Sequence, residues 1–230
     1  MSEFTAMRRV AVVAPHPDDE VLGCGGTMAR LASAGSEVHV VIATRGRPPR
    51  FSDGYMDRVM AEADAAHAML GATRTHRLDL PAAELDGVPA AEVNAAVGAC
   101  LDAIAPDTLF LPFVGDIHLD HQICFTAAMV WARPRSAGAP ERIFAYETLS
   151  ETNWAAPGTT PAFLPDSFID ISAQIERKVE AFAAFRSQAK AFPDERSPQA
   201  IRALATMRGT TVFCEAAEAF MAVRQIWRAA

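Results

Sequence analysis

Short apolar runs alternate with helical stripes through the first 132 residues. Val10–Val13, Glu37–Ala43, Thr75–Leu80 and Asp107–Pro112 are rich in β-branched and aromatic residues and short enough to be buried strands. Between and after them, residues 22–34, 57–70, 88–104 and 122–132 place apolar side chains at helical spacing, as with Leu22, Met28, Leu31 and Ala32 in the first. Gly35 and Gly71 close two of these helices as C-terminal caps, and Pro81 and Pro106 mark further boundaries. This β-α-β-α order predicts an α/β fold: a Rossmann-like, doubly wound, mostly parallel sheet with flanking helices. Further along, the pattern predicts strands at 142–146 and 168–171, a helix over 172–191 and another from Ser197-Pro198 to about Met207. The whole chain reads as a single domain over 1–230, with residues 1–6, ahead of a second methionine, as a flexible leader.

Composition narrows the classes. Half of the 230 residues are hydrophobic, enough for a sizeable core. No apolar stretch approaches the roughly 18 residues of a membrane span, and the N-terminus lacks a signal-peptide pattern. The net charge of −7 argues against a nucleic-acid surface. The four cysteines, at 24, 100, 124 and 214, form no CxxC pair, which fits free thiols in a reducing cytoplasm.

The chemistry concentrates in two loops. His16-Pro17-Asp18-Asp19-Glu20 follows the first strand, and His118-Leu119-Asp120-His121 follows the fourth. Both sit at the carboxyl ends of parallel strands, where α/β proteins gather their sites. Each loop carries a pair of ionisable side chains three residues apart. Two imidazoles and one carboxylate are the donor set of zinc hydrolases, with a position left for water.

HPDDE after a first strand with a downstream HxDH resembles the LmbE/PIG-L family of zinc-dependent N-deacetylases, which act on N-acetylglucosamine-type sugars. Weaker matches are Thr44-x-Gly46, Glu62, Leu70-Gly71, Lys178, Ser187-Gln188, Arg208-Gly209 and Ala217–Phe220. The resemblance implies one Zn2+ per chain on His16, Asp19 and His121, a site that Fe2+ or Co2+ would also suit. It implies Asp18 as general base, His118 as acid and oxyanion stabiliser, and Asp120 as the carboxylate that orients a histidine. The implied reaction is attack of zinc-bound water on an acetamide carbonyl. Thr44, Arg58 and Asp116 are the candidates for substrate contact. The chain departs from the family at three places: Asp116 replaces a tyrosine, Val59 an arginine (Arg58 stands one position earlier), and Phe185 the histidine of HxSQ.

Blander readings stand beside these. Asp18 or Asp19 could simply cap the helix that follows, though the second His/Asp cluster argues otherwise. Gly23-x-Gly25-Gly26 resembles a dinucleotide loop, but a phosphate there would face carboxylates. His39, His67 and His76 read as structural. Trp131, Trp154 and Trp227 read as packing residues, with Trp154 the one whose long loop could place it against a sugar. The Arg45–Arg50 loop is a solvated face on the active rim, where it could also meet an anionic part of the substrate. The expected partner is a small amino-sugar-type molecule, with a homo-oligomer compatible with the fold. A hydrolase of another acylated amine, or a glycan-binding module without activity, are the alternatives.

Overall fold

The computed structural model describes residues 7–135 and 138–227; the leader expected over 1–6 lies outside them. Seven strands form one sheet: β1 (Arg9–Ala14), β2 (Glu37–Arg45), β3 (Arg74–Pro81), β4 (Thr108–Pro112), β5 (Arg142–Tyr146), β6 (Ser167–Asp170) and β7 (Ala217–Gln225). Their order is β3-β2-β1-β4-β5-β7-β6. The first five are parallel, and β7 runs antiparallel between β5 and β6.

Among the described residues, six α-helices cover the sheet: α1 (Asp19–Ser33), α2 (Asp53–Leu70), α3 (Ala90–Ile104), α4 (Leu119–Trp131), α5 (Ile175–Ala183) and α6 (Pro198–Thr211). Alternation along each strand divides the core. Val10, Val12, Val40, Ile42 and Phe110 point to the face covered by α1, α2 and α5. Ala11, Val13, Val41, Leu109 and Leu111 point to the face covered by α3 and α4. Two covered faces explain why these strands read as continuous apolar runs. The predicted doubly wound, mostly parallel sheet is the observed one.

Several boundaries moved, each for a local reason. Helix α2 begins at Asp53, four residues before the apolar stripe, because the Ser52 hydroxyl accepts from the Tyr55 N–H at 3.3 Å. Helix α4 begins at Leu119, with His118 as its N-cap. The helix expected over 172–191 covers only 175–183. Beyond it, Ser187 bonds to Glu62 and Gln188 to Tyr55, so polar tethers to α2 replace helical turns. The pattern does not predict strand β7; Ala217–Phe220 at its start is only a weak family match in the sequence.

The glycines of α1 have a packing role. A Cβ on Gly23 would stand 2.2 Å from the Tyr146 ring, and one on Gly26 would stand 2.6 Å from Ile171. Tyr146, fully buried, donates its hydroxyl to the Val13 carbonyl at 2.8 Å. The glycine run therefore lets α1 sit close against β5, beside the loop that opens the site.

Candidate active site

In the order β2-β1-β4, the chain leaves β1 for one neighbour and later returns on the other side. The loops after β1 and β4 therefore face each other across the topological switch point. This is why residues about 100 positions apart meet. His16 Nδ1 lies 3.3 Å and His121 Nε2 3.2 Å from the same Asp19 oxygen. The three donor atoms all fall within 4.8 Å of one another.

Carboxylates behind the imidazoles orient them. His16 Nε2 is 2.9 Å from Asp120, and His121 Nδ1 is 2.8 Å from Asp116. When neutral, each ring gives its N–H to that carboxylate and turns the lone pair of its other nitrogen toward Asp19. The result is visible at His121: its Nε2 is fully buried and has no hydrogen-bond partner among the described residues. Such an atom is costly unless something binds it. Two inward lone pairs and one carboxylate oxygen fit a divalent cation of the zinc type.

A second grouping, His16, His118 and Asp120, also converges. Its carboxylate is already occupied. Asp120 accepts from His16 and from the Ala83 and Leu85 N–H groups at 2.6 and 3.3 Å. It serves better as support than as ligand.

Asp18 stands beside the centre and outside the donor set. Its backbone is at φ 127°, a conformation that costs a non-glycine residue about 1–3 kcal/mol. The Glu20 carboxylate holds the Asp18 N–H at 3.2 Å, and Glu20 is itself buried against His67 at 2.8 Å. His67, expected to be structural, is so placed. The Asp18 side chain meets Arg196, whose Nη1 donates to it at 2.9 Å. Burial pushes the Asp18 carboxyl up to about 8 even against that guanidinium, with Asp19 and Glu20 adding to the effect.

Arg196 was not among the predicted residues. It also bonds Gln188 Oε1 at 3.0 Å and Ser150 Oγ at 3.1 Å, so it joins three segments at the site. One signal existed. Arg196 immediately precedes the Ser197 N-cap of α6, a helix end where a cation is unfavourable and so needs a partner elsewhere.

His118 lines the cavity beside His16 and Asp18, with ring centroids of His16 and His118 4.5 Å apart. Burial, with the charge of His16, lowers its proton affinity. The cavity is about 240 Å³ and is walled on its far side by Phe51, Tyr55, Met56 and Val59. Of the three residues expected to touch substrate, none lines it. Thr44 is buried and gives its hydroxyl to the Pro15 carbonyl at 2.7 Å. Asp116 is fully buried behind His121, where Thr152 also donates to it. Arg58 is exposed, its guanidinium 5.9 Å from the Tyr55 ring centroid. The basic rim loop is also engaged: Arg45 pairs with Asp57, and Arg47 donates to the Asp79 carbonyl.

The pKa values of the cation-free centre follow from its excess of carboxylate. For His16, burial opposes charge, but hydrogen bonds to Asp120 and Asp19 and the charge of Asp19 prevail and raise it to about 9. For His121, burial is likewise outweighed by Asp19 and Asp116, which raise it to about 10. Both folded values exceed the unfolded value of roughly 6.5. Their stabilisation is therefore complete below about pH 6.5 and is lost as pH rises through 9 and 10. Asp18, also raised, acts with the same sign up to about 8. Chelator-treated protein should melt at progressively lower temperature between pH 6 and 10, and saturating zinc should relieve the decline. A flat or rising profile in chelator would contradict the charge balance described here.

The fold and site together define a doubly wound α/β protein with a buried His-Asp-His cluster that could hold a cation and a further carboxylate, Asp18, beside it. Comparison with known proteins agrees with that fold and places the chain in a family. The family described as PIG-L, GlcNAc-PI de-N-acetylase, matches residues 11–132, more than half of the chain, and the chain belongs to it. The 1D-myo-inositol 2-acetamido-2-deoxy-alpha-D-glucopyranoside deacetylase of Mycolicibacterium vanbaalenii is 27% identical over 237 residues, covering 82% of this chain and 84% of that protein. Diacetylchitobiose deacetylase of Thermococcus kodakarensis is 28% identical over 206 residues, covering 84% and 73%. Among solved structures, the conserved protein TT1542 from Thermus thermophilus has a TM-score of 0.76 at 28% identity over 97% of this chain and 98% of that one. No helix among the described residues is long and apolar enough to cross a membrane.

Proposed function

We propose that this protein is a zinc-dependent N-deacetylase that hydrolyses the acetamide of an N-acetylated amino sugar or its conjugate. The observation that carries the reading is the convergence of His16 Nδ1, His121 Nε2 and an Asp19 oxygen within 4.8 Å of one another, with Asp18 beside them outside the set. His16, Asp19 and His121 would hold the cation. When bound, it supplies acidification of a water and polarisation of the acetyl carbonyl.

The chain's own residues do the rest. Asp18, at the cavity wall, takes the proton from the attacking water. Its raised proton affinity suits a base working near neutral pH. His118, on the same cavity, stabilises the oxyanion and delivers a proton to the departing nitrogen. Its lowered affinity makes it a ready donor once charged. After the C–N bond breaks, His118 is left neutral and takes up the proton held by Asp18, so that both groups are reset and one proton of the water has, net, ended on the amine. Asp120 and Asp116 keep the two ligand rings turned inward. The membership in a de-N-acetylase family and the acetamido-sugar substrates named for its relatives support the acyl group and the substrate class.

The test is acetate release from a panel of N-acetylated sugars. The zinc-loaded protein should turn over at least one of them, chelator should abolish activity, and added zinc should restore it. Full activity in exhaustively chelated protein would sink the proposal, as would a failure of purified protein to bind zinc.

A further inference from the structure

Asp18 can serve as base only if one of its oxygens is kept facing the water that attacks. The Arg196 guanidinium takes the other. Its Nη1 donates to Asp18 Oδ2 at 2.9 Å, and no hydrogen bond reaches Oδ1 among the described residues. Asp18 lines the cavity, so Oδ1 is the oxygen left for a water there.

The guanidinium is itself fixed. Nη1 also donates to Gln188 Oε1 at 3.0 Å, and Nε donates to Ser150 Oγ at 3.1 Å. Each of those residues is tethered in turn. Gln188 donates to the Tyr55 hydroxyl of α2 at 2.9 Å, and the Ser150 N–H donates to Glu195 at 2.8 Å. The Arg196 main chain is pinned as well. Its N–H donates to the Asp194 carboxylate at 2.8 Å, and its carbonyl accepts from the Lys190 N–H at 3.0 Å. The next residue, Ser197, caps α6. A side chain locked at both stem and fork fixes what it holds, to the precision that a reacting group needs.

Two plainer tasks fit less well. Neutralising the buried carboxylate needs one cation, and no bonds to the neutral Gln188 and Ser150. Binding an anionic part of a substrate is opposed by the charges of Asp18, Asp19, Glu151 and Asp194 around the guanidinium. We propose that Arg196 is the positioning residue for the base: it holds Asp18 Oδ2 so that Oδ1 points at the attacking water. It acts through Asp18 rather than on the substrate. The inference rests on the deacetylase reading for the identity of the base.

The experiment compares zinc-loaded wild type, Arg196→Lys and Arg196→Ala. Lysine keeps the charge but lacks the planar fork, and alanine removes both. With N-acetylglucosamine and N,N'-diacetylchitobiose as substrates, Arg196→Ala should lose about a hundredfold in kcat, the scale of a misplacement near 1 Å. KM and bound zinc should stay close to wild type, and Arg196→Lys should show most of the same loss. Guanidinium chloride at millimolar concentration, far below denaturing levels, should restore part of kcat to Arg196→Ala, whereas ammonium should not. Crystal structures of wild type and Arg196→Lys give a readout apart from turnover. The Asp18 carboxylate should keep one orientation in wild type and turn or split in the variant. Wild-type kcat in Arg196→Lys, a loss carried by KM or by bound zinc, equal rescue by guanidinium and ammonium, or an unmoved Asp18 carboxylate in Arg196→Lys would each overturn the positioning role. A lower melting temperature with kcat of the folded variants intact would make Arg196 a structural residue instead. A turned carboxylate, with no acetate released by wild type from any sugar, would keep Arg196 as the group that orients Asp18 and sink the deacetylase reading.

Discussion

Replacing Asp18 by asparagine should lower kcat about a thousandfold, within the range set by loss of a general base. The substitution separates the proposed base from the proposed cation centre. Asparagine has nearly the same shape, can still accept from Arg196, and tolerates positive φ better than most residues. The donors His16, Asp19 and His121 are untouched, so bound zinc should equal that of wild type. The variant should also be at least as stable, because it removes a carboxyl whose burial already pushes its pKa up to about 8. The check is a joint measurement of kcat, zinc content and melting temperature. A kcat within tenfold of wild type would remove Asp18 from the reaction. Loss of zinc along with activity would make it a ligand or a structural residue instead.

Why Asp19 rather than Asp18 faces the two histidines is a matter of backbone, and this was only partly legible in the sequence. HPDDE announces a His and three acids on a strand-to-helix turn, and HxDH a matching pair on another. The parallel order of the strands then brings the two loops together, because topology limits where they can go. The motif alone does not say which acid faces the centre. That is decided by the φ of 127° at Asp18 and by Glu20, held by His67 from α2, a contact of long sequence separation.

The substrate contacts were least legible. Thr44 and Asp116 are polar residues beside the motifs, and their types suit binding as well as support. Only the fold shows that both are buried, one bonded to the Pro15 carbonyl and the other to His121. Arg196 and strand β7 share a cause for being missed: each acts through partners far away in sequence. β7 begins with alternating small and large residues but takes its place from pairing with β5 and β6.

Strand β7 also sets the largest expected effect on stability. Lys178→Met should destabilise the fold by about 3–5 kcal/mol, because it leaves Glu218 buried without its counter-charge. The two side chains are 5% and 3% exposed, with Nζ 2.6 Å from the carboxylate. The pair ties three elements together. Lys178 on α5 also donates to the Leu22 carbonyl of α1 at 2.6 Å. Glu218 on β7 accepts from the Gly26 and Thr27 N–H groups of the same helix at 2.9 and 2.7 Å. For a chain of this size that cost corresponds to a fall of roughly 10 °C in melting temperature. Because α1 begins at Asp19, the site should be lost in the same transition as the fold, while turnover well below it persists. Adding Glu218→Gln should recover part of the loss by removing the orphaned charge. The recovery should be incomplete, since a glutamine offers one oxygen where two N–H groups need acceptors. Thermal and denaturant unfolding of the single and double variants measures both steps. A single variant within 1 kcal/mol of wild type, on the scale of exposed pairs, would show that water reaches this ion pair and that α1 is anchored chiefly by the packing of Gly23 on Tyr146.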